Sequence, residues 1–185
     1  IRCADKFADW YADLMAAAHA DAVHGAEICR DLQDRLVMIA RVSDAGAFVN
    51  TNALTLKRSH GDYSVMQLLY DGSEIKAVLD FVNAGEVPIA WELIRSYSYM
   101  DCTFNAARLA AYTNEYRRYA EVSMDDLRYM PYLYLGQLLS STYGYKQYLQ
   151  TGDEELLAFG RWRTEMCRYL IANAGEVSAE LVRLA

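Results

Sequence analysis

His60-Gly61-Asp62-Tyr63-Ser64-Val65-Met66-Gln67 runs into Leu68-Leu69-Tyr70, the turn Asp71-Gly72-Ser73-Glu74, and then Ile75-Lys76-Ala77-Val78-Leu79-Asp80-Phe81. Asp-Gly between two apolar runs predicts a β-hairpin, because such a turn needs backbone angles that Gly adopts freely. The hairpin puts one Asp on a tight loop before its first strand and a second Asp at the end of the next. Two carboxylates carried in this way can converge on one site. One then accepts a proton from a hydroxyl while the other holds a metal ion, the division of labour of phosphoryl transfer.

On either side of the hairpin the pattern is helical. Phe7, Trp10, Tyr11, Leu14, Met15 and Ala18 recur at helical spacing, as do Ile28, Leu32, Leu36, Ile39 and Ala40, which predicts helices over about 4–23 and 26–42. Ser43 to Asn52 reads as a loop, and Leu54-Thr55-Leu56 as a short strand leading to His60. After the hairpin, Pro88 suits the first turn of a helix running to about Tyr99, with Trp91, Leu93, Ile94 and Tyr97 inward. Leu109, Tyr112, Tyr116 and Tyr119 mark another helix. Ser123 with Asp126 has the form of a capping box, Pro131 is expected to start a new helix, and Thr151 with Glu154 repeats the cap. The fold class is mainly α with a small β-hairpin, in a single domain over 1–185.

Composition excludes several classes. With 185 residues, 54% of them hydrophobic and 23% charged, the chain suits one soluble domain with a real core. Its apolar runs are too short to span a bilayer and no signal-peptide pattern opens it, so no membrane association and a cytoplasmic location are expected. A net charge of −7 with only four Lys argues against nucleic acid. Cys3, Cys29, Cys102 and Cys167 are dispersed, without ligand spacing, and read as free, mostly buried thiols.

The order of helices, His-Gly-Asp, a hairpin ending in Asp-Phe, and further helices resembles the C-terminal lobe of the aminoglycoside phosphotransferase-like kinases. That superfamily includes choline kinases and type II homoserine kinases and is distantly similar to protein kinases. The specific part of the resemblance runs from His60 to Arg95. It implies an ATP-dependent transfer of a phosphoryl group to a small-molecule alcohol, with ATP as co-substrate and Mg2+ as cofactor. By the same resemblance Asp62 is the catalytic carboxylate that orients and deprotonates the acceptor, and Asp80 a magnesium ligand. His60 is a structural residue under the loop, and Glu92 stands where the family has an Asp that anchors the catalytic loop from below. Asn83, three past Asp80, is a candidate for a substrate or loop role.

Two departures from the family matter. The family has Asn five residues after the catalytic Asp, as a second metal ligand. Gln67 stands there instead, with an amide oxygen one methylene further out, and magnesium is demanding about geometry. The family's N-terminal β-rich lobe also has no counterpart, since no Gly-rich strand-turn-strand precedes Cys3 and Lys6 lies inside the first helix. The chain is therefore expected to be an isolated catalytic lobe, a fragment with little or no kinase activity alone. The alternative is a non-catalytic kinase-like binding or scaffold protein with a degenerate metal site.

Other residues read as structural. His19 and His24, five apart on the first predicted helix, do not share a face and read as surface histidines. The fifteen Tyr read as core and rim, and Arg161, Arg163 and Arg168 as a solvated or salt-bridged face. Asp101, Glu115, Glu121, Asp125 and Asp126 suit either a cationic acceptor or a solvated helical surface.

Overall fold

The computed structural model describes residues 4–44, 49–100 and 104–184. They belong to two compact units, one of Ile1–Phe48 with Leu135–Asn173 and the other of Val49–Tyr134 with Ala174–Ala185. The architecture is mainly helical with a small antiparallel β region. No helix among the described residues is long and apolar enough to cross a membrane. Cys3, Cys102 and Asp101 lie outside the described residues.

The second unit carries the predicted hairpin. Strands β1 (Leu56–Ser59), β2 (Leu68–Asp71), β3 (Glu74–Val78) and β4 (Gly85–Pro88) precede α3 (Ile89–Met100), α4 (Ala106–Arg117) and the start of α5 (Met124–Leu139). β2 and β3 pair antiparallel through the expected turn, with Gly72 at φ +61° and a bulge at Leu69/Tyr70. β1 pairs with β4, Leu56 opposite Pro88 and Ser59 opposite Gly85. The sequence pattern does not reveal β4. Its Pro88 ends a strand instead of starting a helix, a position where a ladder tolerates a residue without N–H. Ile89, Ala90, Leu93, Ile94 and Tyr97 of α3 are buried, as are Leu109 of α4 and Leu127 and Met130 of α5. Tyr119 falls beyond the end of α4 and is exposed.

The capping box forms as expected. The Ser123 N–H donates to Asp126 Oδ2 at 2.8 Å and the Asp126 N–H to Ser123 Oγ at 3.0 Å. Asp126 is fully buried, and its Oδ1 accepts from the N–H of Thr55 at 2.9 Å, so the helix cap also ties down the residue before β1. Asp126 is thus committed to structure rather than to an acceptor. Pro131 lies inside the continuous α5 rather than at the start of a new helix. Leu127 and Met130 before it and Tyr134 after it are all buried, and such packing outweighs one lost backbone hydrogen bond.

In the first unit α1 (Ala4–Ala18) and α2 (Gly25–Asp44) pack together, with Leu135–Leu139 of α5, α6 (Tyr145–Thr151) and α7 (Glu154–Leu184) as far as Asn173. α1 ends at Ala18, short of the expected boundary near 23. Asp21 Oδ1 takes the N–H groups of Val23 and His24 at 2.8 Å, making a turn that competes with helix. Gly25 then packs where a Cβ would meet the Ala18 carbonyl oxygen at 2.0 Å. His19 and His24 consequently lie outside α1, and His24 approaches Arg161 at 3.2 Å and Glu154 at 3.3 Å. α7 is capped by Asp153, whose Oδ1 accepts from the Glu155 N–H at 2.9 Å, and Thr151 ends α6.

Arg35 is fully buried at the centre of this unit. Its Nε donates to Thr164 Oγ1 at 2.9 Å, Nη1 to the Ser141 carbonyl at 2.9 Å and Nη2 to the Gly160 carbonyl at 3.1 Å, and the guanidinium lies 5.5 Å from the Tyr145 ring centre. Tyr145, also fully buried, donates to Asp31, which in turn pairs with Arg168 at 2.8 Å. Burial first, then the neighbouring Asp31 carboxylate, push the Tyr145 phenol well above its ordinary value. The tyrosines read as core therefore include a buried polar anchor. Arg163 is buried with its guanidinium 5.6 Å from the Phe159 ring centre, unlike the solvated face expected for it, whereas Arg161 and Arg168 are salt-bridged. Cys167 is buried and Cys29 partly so, both as free thiols.

A Cβ at Gly160 would meet the Tyr145 ring at 2.6 Å, whereas one at Gly136, inside α5, meets nothing within 4 Å. Gly160→Ala is expected to destabilise the protein by about 1–3 kcal/mol through overpacking. Gly136→Ala should stabilise it by about 0.5–1 kcal/mol, since Gly costs a helix interior that much entropy. Thermal denaturation of the two variants reads opposite shifts in Tm.

Candidate functional site

The loop from His60 to Ser64 and the loop from Leu79 to Ala84 lie against each other. The His60 Nε2–H donates to the Leu79 carbonyl at 2.6 Å, because a carbonyl oxygen can only accept. The ring is 7% exposed and lies 4.6 Å from the Phe81 ring centre. Its Nδ1 has no hydrogen-bond partner among the described residues.

Gly61 makes the closest approach. It has φ +76°, and a Cβ there would stand 2.0 Å from the carbonyl oxygen of Asn83. Both the backbone angle and the contact demand glycine. A third link comes from Gln67, whose carbonyl accepts from the Leu79 N–H at 2.8 Å. Gln67 sits in a short 3-10 turn, Val65–Gln67, and is half-buried.

Asp80 follows Leu79 in the left-handed conformation, φ +59° and ψ +61°. Asp is one of the few residues that tolerates this region, and such an outlier beside a loop is a pointer to function. It heads a 3-10 turn, Phe81–Asn83, whose N–H groups its carboxylate does not accept from, and it is exposed. Asn83, also exposed, is the last residue of that turn, and its carbonyl oxygen makes the close approach to Gly61.

Asp62 and Tyr63 are held by α3. The Tyr63 N–H donates to Glu92 Oε1 at 3.0 Å, and the Tyr63 carbonyl accepts from Arg95 Nη1 at 3.2 Å. Arg95 Nη2 forms an ion pair with Asp62 Oδ1. Glu92 is 5% exposed and Arg95 9% exposed, and Oε2 of Glu92 has no hydrogen-bond partner among the described residues. Burial first, and then the Glu92 carboxylate, hold the Tyr112 and Tyr116 phenols above their ordinary value, so both keep their protons. Sequence reasoning picked out Glu92 and missed Arg95. The signal was their three-residue spacing, which places both on one face of a helix.

Four apolar side chains around this site are exposed by half or more: Met66, Leu69, Phe81 and Val82. Among the described residues no group of three His, Cys, Asp or Glu is gathered to hold a metal ion. Gly61→Ala is expected to cost about 1–3 kcal/mol in backbone strain, with the contact to Asn83 adding to it. A fall in Tm together with shifted amide resonances in both loops would check this.

Comparison with known proteins agrees with this geometry at the level of family. A model of the phosphotransferase enzyme family matches residues 2–122, well over half of the chain, and the match takes in both loops, the hairpin and α3. No curated protein and no solved structure matches significantly. The chain belongs to the phosphotransferase enzyme family.

Proposed function

We propose that this protein transfers the γ-phosphoryl group of ATP to the hydroxyl of a small-molecule alcohol, as aminoglycoside, choline and homoserine kinases do. Asp62 orients the acceptor hydroxyl and takes its proton. Asp80 and Gln67 hold the magnesium of the nucleotide, with Glu92 and His60 supporting the loops. The observation that carries this reading is the direct abutment of the Asp62 loop on the Asp80 loop, through Gly61 on Asn83 and His60 on Leu79.

The residues present fit a magnesium ion. Asp80 has a carboxylate that is not spent on capping its own turn, and hard cations prefer such oxygens. When bound, the ion would neutralise charge on the phosphates. Asp62 needs no unusual basicity, because a loose phosphoryl-transfer transition state asks chiefly for positioning. Positioning is what Glu92 supplies when it fixes the Tyr63 N–H. The exposed apolar side chains at Met66, Leu69, Phe81 and Val82 suit contact with a nucleotide base and with a β-rich lobe.

Gln67 favours a second reading, a kinase-like binding protein that has lost its metal. Isothermal titration of the full-length gene product with ATP, with and without magnesium, separates the two. Magnesium-dependent binding, weakened at least tenfold in Asp80→Asn, is the expected result. Nucleotide binding that ignores both magnesium and Asp80 would leave the binding protein, and no binding in either form would sink the enzyme reading.

A further inference from the structure

We infer that Arg95 is a positioning residue for phosphoryl transfer, which aims the Asp62 carboxylate at the acceptor and balances its charge against the incoming phosphate. The inference rests on the reading of Asp62 as the residue that takes the acceptor proton.

The geometry is specific. A guanidinium presents its donors in a rigid fork. In Arg95 one arm goes to Asp62 Oδ1 and the other to the carbonyl of Tyr63, the next residue along the loop. The fork therefore fixes the carboxylate relative to its own main chain. Because Oδ1 is engaged by Arg95, Oδ2 is the oxygen that meets the acceptor hydroxyl.

Arg95 is itself held. Its guanidinium carbon lies 5.7 Å from the Trp91 ring centre and 5.0 Å from that of Tyr99, residues one turn before and one turn after it on α3. Cation–π contact with both rings, and burial to 9% exposure, restrict the rotamers of a side chain that is otherwise flexible. Electrostatics adds a second role. An ionised Asp facing a nucleotide's phosphates repels them, and a paired Arg brings the local charge to zero without protonating the carboxylate. A surface ion pair would do little of this; Arg95 is buried.

The test compares Arg95→Met, Arg95→Lys and Asp62→Asn in the full-length gene product. Phosphoryl transfer from magnesium-ATP is measured with the best acceptor from a panel of small alcohols, or with water. Asp62→Asn should lose at least about 100-fold in kcat. Arg95→Met should lose about 10- to 100-fold in kcat, the scale of a misplaced catalytic group, with the KM for ATP changed less than about threefold. Arg95→Lys should recover part of the loss, and Arg95→Met should add nothing in the Asp62→Asn background. Wild-type kcat in folded Arg95→Met, beside an inactive Asp62→Asn, would overturn the inference and leave the reading of Asp62 standing. Equal loss in the Met and Lys variants that tracks only the fraction folded by circular dichroism would also overturn it. Full turnover by Asp62→Asn, or none by the wild type, would overturn the reading of Asp62 and this inference with it.

Discussion

Both polar groups of the Tyr63 backbone are taken by one face of α3, its N–H by Glu92 and its carbonyl by Arg95. A loop has little stiffness of its own, since its backbone groups would otherwise trade partners with water. Here a buried helix supplies the stiffness, and its apolar residues Leu93, Ile94 and Tyr97 fix the helix in the unit's core. The position of Asp62 therefore follows from the packing of α3. From Asp62 the chain of dependence runs back through Gly61 to Asn83 and the Asp80 turn.

The same device recurs at Asp126 and Arg35. Asp126 joins a helix cap to the backbone before β1. Arg35 gathers two main-chain carbonyls and a threonine hydroxyl from α7 and the segment before α6. Burying a charge is costly unless it is fully bonded, so each of these residues commits its neighbours to one arrangement. Apolar packing sets how well the elements hold. These polar ties set which backbone atoms meet.

Features with local causes were legible in the sequence. The hairpin follows from Asp71-Gly72, and the cap of α5 from Ser123 and Asp126. His60, Asp62 and Asp80 stood out as a pattern, and family membership agrees with that pattern. What escaped notice depends on residues distant along the chain. Gly85-Glu86-Val87-Pro88 has no strand pattern of its own and becomes β4 only because β1 offers it a ladder. Arg95 looks like any polar helix residue until Asp62, 33 positions earlier, is folded against it. Pro131 reads as a helix start from local rules and is overruled by packing on both sides. α1 ends at Ala18, the last residue of its apolar pattern and short of the expected boundary near 23, because Asp21 claims the backbone of the next turn.

The contact between Gly61 and Asn83 has a consequence for how this site can diverge. Its tightest part is main chain, the Asn83 carbonyl oxygen lying 2.0 Å from where a Gly61 Cβ would stand. Its dimensions are set by covalent geometry and the thickness of a peptide group, not by the size of any replaceable side chain. The strands of the hairpin and the apolar residues it displays can then drift in sequence without altering the interval between the carboxylate loops. Selection on what the protein recognises is in this way uncoupled from selection on the spacing of its two aspartates.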